Sequence, residues 1–303
     1  MKRWLPALAL FWLLAPVVLA APAAPADRET ALPPGPAAAP GQDAGAPALV
    51  LKIAVNDIYC RKTACDCIGD IATRSYDTLL AELKTNYHIT LEFTYFMEVF
   101  DLQKAVADKQ FDGFLCKPWT VLRLANKSPA RFKRVADLLD PQDQAWMRGV
   151  FLTLSDSPLH TLADVQGKRI AMGQADSYEK NQAALQLLVE QKIKPAGQRL
   201  FSSCGENLSA LLDGKVEVAV VSSYALTASC AVDFAKPEQF RTLAVTPKMP
   251  LTSLLLNLKQ VPVADARRVQ RALLELSGGK APKDLLGGGF VLPVSWKPSF
   301  SAE

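Results

Sequence analysis

From Leu49 onward the sequence alternates short, β-branched apolar runs with amphipathic helical runs, and at Gly149 the alternation starts afresh. Residues 49–56 (LVLKIAVN) read as a buried strand closed by Asn56-Asp57. A helix is predicted over 72–85, with Tyr76, Leu79, Leu80 and Leu83 on one face, then a strand over 88–96, a helix over 98–109 and a strand over 111–115. A further helix begins at 118–126, with Pro118 in the first turn, where proline is tolerated. The second series has strands over 149–154, 167–172, 198–203 and 216–222, and helices over 178–192 and 206–213. Residues 241–246 and 251–258 read as strands and 263–277 as a helix. Such alternation builds α/β layers with mainly parallel sheets. It predicts two lobes, 48–146 plus 247–303 and 147–246, with a ligand cleft between them. Ligands of these sheets sit beyond the carboxyl ends of the strands. The loops at 57–70, 116–120, 173–178, 203–207 and 222–225 are therefore the candidate site.

What precedes the first strand has a different character. Lys2 and Arg3 lead into seventeen uncharged, apolar residues, 4–20, and Val18-Leu19-Ala20 before Ala21 fits a small-residue cleavage site. Residues 1–20 are predicted to be a secretory signal peptide. The alternative, an uncleaved anchor, suits less well a stretch this short that carries Pro6 and Pro16. Residues 21–47 are almost all Ala, Pro and Gly, a composition expected to stay disordered as a linker.

Charge excludes some partners. Lys and Arg exceed Asp and Glu by 34 − 30 = +4, without long basic blocks, so nucleic acid is not an expected partner. Residues 48–303 keep the same +4, which permits an anionic ligand. The two histidines, His88 and His160, leave no room for a His-rich zinc site. No G-x-S-x-G, H-E-x-x-H or P-loop run occurs, and Asp156, Ser157 and His160 share only a polar turn. No catalytic residue and no cofactor are predicted, and the chain is read as a non-enzyme.

Several stretches carry a family resemblance. Residues 149–177 (GVFLTLSDSPLHTLADVQGKRIAMGQADS), Phe201 to Val221 with Glu206 and Gly214-Lys215, residues 111–120 (FDGFLCKPWT) and the tail from Gly289 to Val294 are similar to the phosphonate-binding, PhnD-like subunits of ABC importers. The resemblance covers about 250 residues. It implies a type 2 periplasmic-binding fold, a monomer in the periplasm, and an ABC permease as partner. Lys117 stands where the family has Gly, Val121 where a Tyr often follows the Ser, Gly205 where it has His, and Tyr178 where a small residue follows the Ser.

The chemistry of the loops gives the residues. Ser177 at a helix start can cap the backbone or bind a ligand oxygen. Lys117 adds a cation, Trp119 and Tyr178 can wall a cleft, and Ser222, Ser223 and Tyr224 bring hydroxyls to a strand end. Thr120, Ser203 and Glu206 complete the candidate ligand-binding set through the resemblance. The expected ligand is a small anion, with a phosphorus oxyanion as the family default, captured by hinge closure. The alternative is a sensing or accessory module that assists a redox enzyme or a signalling system.

Cys60, Cys65, Cys67, Cys116, Cys204 and Cys230 make an even set, and export predicts three disulfides. Cys204 and Cys230 are the two in the second lobe and are expected to pair. The first lobe allows Cys60–Cys65 with Cys67–Cys116, or Cys60–Cys67 with Cys65–Cys116. A thiolate metal site formed by those four is the competing reading.

Overall fold

The computed structural model describes residues 31–32, 47–64, 72–108, 110–125, 132–226, 234–296 and 298. The expected signal peptide, most of the linker, and Cys65, Cys67 and Cys230 lie outside them. In chain order the elements begin β1 (Leu49–Asn56), α1 (Asp77–Tyr87), β2 (Ile89–Tyr95), α2 (Val99–Asp108), β3 (Gly113–Cys116), α3 (Pro118–Leu124) and β4 (Phe132–Leu138). After β5 (Trp146–Met147) come β6 (Gly149–Leu154), β7 (Arg169–Gly173), a π-helical turn (Tyr178–Gln182), α4 (Ala183–Glu190), β8 (Gly197–Phe201), α5 (Cys204–Leu212) and β9 (Val218–Ser222). The chain closes with β10 (Phe240–Val245), β11 (Met249–Pro250), β12 (Thr252–Asn257), α6 (Val263–Glu275) and β13 (Phe290–Val291). Among the described residues no helix is long and apolar enough to cross a membrane.

Two sheets result, each from one of the two alternating series. The six-stranded sheet has the order β13-β4-β12-β3-β1-β2, and the five-stranded sheet β10-β6-β9-β7-β8. Four of the six strands in the first sheet and four of the five in the second point the same way, as the alternation predicts, with β12, β13 and β6 reversed. β2, β1 and β3 run parallel, as do β8, β7 and β9, but β12, β4, β13, β6 and β10 pair antiparallel. Side-chain periodicity reports which face of a strand is buried, not which way the strand runs, so the three reversed strands were not legible in the pattern. Between the sheets, β5 pairs antiparallel with β11 where the chain crosses from one sheet to the other and back.

Helix α6 shows how the layers are held. Ala266, Val269, Ala272 and Leu273 form its buried stripe, spaced as one helical face. Its Arg268 reaches across to the carbonyls of Pro47 and Tyr87 at 2.7 and 2.6 Å, tying the start of β1 to the end of α1.

Three local departures from the predicted pattern share one cause, a polar group or a single apolar residue that finds a buried partner. Strand β4 (FKRVADL) was invisible because Lys133, Arg134 and Asp137 interrupt the apolar run. The structure buries Arg134 and Asp137 completely as an ion pair, with Ser253 Oγ donating to Asp137 Oδ1 at 2.6 Å and Arg134 donating to the Val294 carbonyl at 3.0 Å. Helix α1 starts at Asp77 rather than 72 because Arg74 turns inward. Its guanidinium bonds Asp57 Oδ2 at 2.9 Å and the carbonyls of Leu285 and Leu139 at 2.7 and 2.5 Å, and the Tyr76 hydroxyl donates to the same Asp57 oxygen at 2.8 Å. The third departure is in the linker. Leu32, the only large apolar residue among 21–47, packs into the core at 7% exposure, and Ala31 bridges Arg134 of β4. Residues 31–32 are therefore docked, not free linker.

Each expected disulfide has one member, Cys65, Cys67 or Cys230, outside the described residues; the three described cysteines, Cys60, Cys116 and Cys204, are buried and unbridged. Cys60 and Cys116 pack in separate core clusters. Cys116 Sγ donates to the Lys117 carbonyl at 3.4 Å, and Cys204 Sγ accepts from the Ser222 N–H at 3.4 Å. Burial pushes the Cys60 and Cys116 thiols above their ordinary value. Among the described residues no group of His, Cys, Asp and Glu is arranged to hold a metal.

Candidate functional site

The carboxyl ends of β3, β7 and β9 converge, and the residues that follow them form one polar cluster. Lys117 follows β3 and precedes α3. Its Nζ donates to Glu179 Oε1 at 3.0 Å, and its ammonium lies 5.7 Å from the centre of the Tyr224 ring. Ser222, the last residue of β9, donates to the same Glu179 oxygen at 2.7 Å. Lys117 belongs to a segment of the six-stranded unit, whereas Glu179 and Ser222 belong to the five-stranded one. The ion pair therefore spans the junction between them.

Glu179 and Lys180 reach this place through the shape of their turn. Residues 178–182 wind as a π-helix rather than the predicted α-helix, and Tyr178, Glu179, Lys180 and Asn181 are all buried in succession. Single π turns are often found where function needs a displaced side chain. Two glycines make room for it. A Cβ at Gly149 would fall 2.0 Å from the Glu179 carbonyl oxygen, and one at Gly173 would fall 2.7 Å from Lys180 Cβ. Asn181 secures the turn by donating from Nδ2 to the Gly173 carbonyl at 2.7 Å.

The electrostatics are lopsided. Burial works against ionisation of Glu179, but Lys117, Lys180 and Ser222 outweigh it and hold the carboxyl at about 2. Burial also works against the Lys117 ammonium, yet the Glu179 carboxylate keeps it protonated well above the usual lysine range. Lys180 is only 7% exposed and makes no hydrogen bond or ion pair among the described residues. Burial opposes its charge, and Cys204, Glu179 and Tyr224 offset that, so its pKa is raised. Two cations thus surround one carboxylate, leaving a net positive site. The sign of the Glu179 contribution fixes an acid prediction. Its folded value of about 2 lies below the ordinary 4.5, so the stabilisation is complete above about pH 5 and lost as pH falls toward 2. The gap corresponds to ~3 kcal/mol. Melting temperatures from pH 6 to pH 2 should show wild type losing its advantage over Glu179→Gln across that window. An advantage that survived at pH 2 would contradict the assignment.

An aromatic wall adjoins the cluster. Trp119 of α3 lies 4.5 Å from Tyr178, centre to centre, and Tyr178 lies 5.7 Å from Trp296. These rings come from both sheet units, and contacts of this kind are worth about 0.5–1.5 kcal/mol each beyond their burial. The Arg123 guanidinium donates to the Ala175 carbonyl at 3.5 Å across the same junction.

The predicted residues separate into those the structure brings together and those it does not. Lys117, Trp119, Tyr178, Ser222 and Tyr224 are assembled, and Ser177 sits beside them with a hydroxyl that makes no capping bond. Thr120 is buried on α3. Ser223 is exposed and its Oγ accepts from the Arg148 N–H at 3.2 Å. Ser203 and Glu206 form a capping box at the start of α5. Glu206 Oε2 takes the Ser202 and Ser203 N–H groups at 3.0 Å each, which leaves that pair committed to the helix end. Glu179 and Lys180 were absent from the predicted set. The signal that could have found them is a charged pair set between Tyr178 and Asn181 at the head of an otherwise apolar helix.

The sequence model of a family described as "ABC transporter, phosphonate, periplasmic substrate-binding protein" matches residues 69–289. The chain belongs to this family. No curated protein sequence matches it. Among solved structures it is similar to XAC2383 from Xanthomonas citri bound to ATP, at 14% identity and a TM-score of 0.61, over 81% of this chain and 91% of that one. It is also similar to PhnD1 from Prochlorococcus marinus in complex with methylphosphonate, at 10% identity and a TM-score of 0.57, over 80% and 92% of the two chains. A binding-protein component of an ABC phosphonate transporter from Pseudomonas aeruginosa matches at 12% identity and a TM-score of 0.54, over 80% of each. These likenesses establish the two-lobe periplasmic-binding fold.

Proposed function

We propose that this protein is exported by its N-terminal segment, captures a small phosphorus oxyanion in the periplasm, and delivers it as a monomer to an ABC permease. The two lobes are 48–146 plus 247–303 and 147–246, and the β5–β11 pair is the hinge about which they close. One observation carries the reading. Lys180, a residue only 7% exposed, makes no hydrogen bond or ion pair among the described residues and stands with Lys117 beside the single carboxylate of Glu179 and the hydroxyls of Ser177 and Ser222. With one carboxylate between two lysines the cluster keeps a net positive charge, which an anionic ligand balances. Contacts from such a ligand to both lobes favour the closed state, so binding drives closure. The two related structures solved with ATP and with methylphosphonate carry ligands of the same chemistry.

Nothing in this reading requires a chemical step. The site holds and releases its ligand unchanged. Isothermal titration with methylphosphonate, phosphite and phosphate is expected to give a dissociation constant at or below about 1 μM for at least one of them, near −8 kcal/mol. Absence of heat with all three at millimolar concentration would remove the oxyanion reading.

A further inference from the structure

Glu179 is an unusual group to find at the centre of an anion site. Its Oε1 accepts from Lys117 and Ser222 at 3.0 and 2.7 Å, while Oε2 is buried and accepts from nothing among the described residues. Beside it Lys180, a residue only 7% exposed, donates to no acceptor among the described residues. A single molecule that serves both must bring an acceptor for the ammonium and a donor for the carboxylate.

A singly protonated phosphorus oxyanion carries both on one tetrahedral group. Its ionised oxygens accept from Lys180, and its remaining O–H donates to Glu179 Oε2. A sulfonate or sulfate has only acceptors in this pH range and sets a lone pair against the carboxylate oxygen. A ligand ammonium would supply the donor, but it would add a third positive charge beside Lys117 and Lys180. The surroundings leave Glu179 as the group that does the reading. The π turn packs on β6, β7, β9 and α4. The charged residues on those elements are Arg169, at the far end of β7 and paired with Glu217, and Glu190, at the far end of α4 and bonded by Gln186. The charged groups that act on Glu179 are Lys117 and Lys180, and Cys204 and Tyr224 act in turn on those two lysines.

We propose that Glu179 reads the proton on the ligand, so that the site accepts singly protonated phosphorus oxyanions and rejects fully ionised sulfonates and sulfate. The inference rests on the oxyanion reading above and narrows it. The test is titration calorimetry with methylphosphonate, phosphate, methanesulfonate and sulfate, on wild type and Glu179→Gln. Wild type is expected to prefer the phosphorus ligands by about a hundredfold or more, because the wrong ligand leaves a buried polar group unpaired. Its affinity for methylphosphonate should fall about tenfold per pH unit above the ligand's second ionisation, since one proton is taken up with the ligand. This pH series needs no variant and stands even if Glu179→Gln folds poorly. In Glu179→Gln the amide can donate to an ionised oxygen. Methanesulfonate binding should appear, and the pH dependence for methylphosphonate should flatten. Methanesulfonate carries no proton here, so its own pH profile on the variant reports any titration of the protein.

Equal binding of methylphosphonate and methanesulfonate by wild type would overturn the inference and leave the oxyanion reading standing. So would a Glu179→Gln variant weakened equally toward all ligands. Silence of wild type toward all four anions would remove the oxyanion reading and the inference with it.

Discussion

Replacing Lys180 by methionine is expected to weaken methylphosphonate or phosphate binding by about tenfold to a hundredfold while moving the melting temperature by no more than about 3 °C. A hydrogen bond to a charged group contributes about 1.5–3 kcal/mol, which sets the range for binding. The stability side follows from what Lys180 does in the free protein. It makes no hydrogen bond among the described residues, so none is lost. Its stem lies against Gly173, where a Cβ would meet Lys180 Cβ and Cε at 2.7 and 3.0 Å, and methionine can keep that contact with a similar unbranched chain. Titration calorimetry and thermal melting of the same preparation measure both quantities. A fall of 10 °C with unchanged binding would make Lys180 a structural residue and withdraw the anion site from the π turn.

The largest loss of stability is expected at Arg74. Arg74→Leu should cost about 3–5 kcal/mol, because truncating one member of a buried ion pair strands the other. Arg74 and Asp57 are 1% and 0% exposed, and Arg74 also serves the carbonyls of Leu139 and Leu285. Without the guanidinium, one carboxylate and two backbone acceptors lose their donors together. For a protein of this size the melting temperature should drop by roughly 10 °C. Arg74→Lys should recover only part of it, since a single ammonium cannot reproduce a planar fork that reaches three acceptors. Urea unfolding of the three proteins decides the matter, and a loss below 1 kcal/mol would show that water takes over the contacts.

Arg74 also marks the limit of what the sequence made legible. Apolar spacing located β1, β2, β6, α5 and α6 within a few residues, because each presents a face whose burial follows from chain geometry alone. It failed where burial depends on a partner distant in the chain. Arg134 and Asp137 look like surface residues until Ser253 and Val294 are placed beside them. The site divides in the same way. Lys117, Ser177, Ser222 and Tyr224 were found from their position after strands. Glu179 and Lys180 were missed because a regular helix does not bury four residues in a row, and nothing local announces a π turn. Ser203 and Glu206 carried a readable S-x-x-E capping signature, which in the structure is what they form.

The two glycines beneath the π turn bear on how such a site could change its ligand over time. With the Glu179 carbonyl seated where a Cβ at 149 would come within 2.0 Å, and Lys180 against position 173, the turn is located by main chain touching main chain and stem. The charged head groups hang from a mount that side-chain rotation does not move. A lineage that keeps both glycines can exchange Lys180, or Glu179 and Lys117 together as a pair, without resetting the mount. A lineage that loses either glycine must rebuild the turn before it can bind anything there. The charged groups of the turn and the backbone that seats them are thus separate along the chain, and at positions 149 and 173 that seat has no side chain at all.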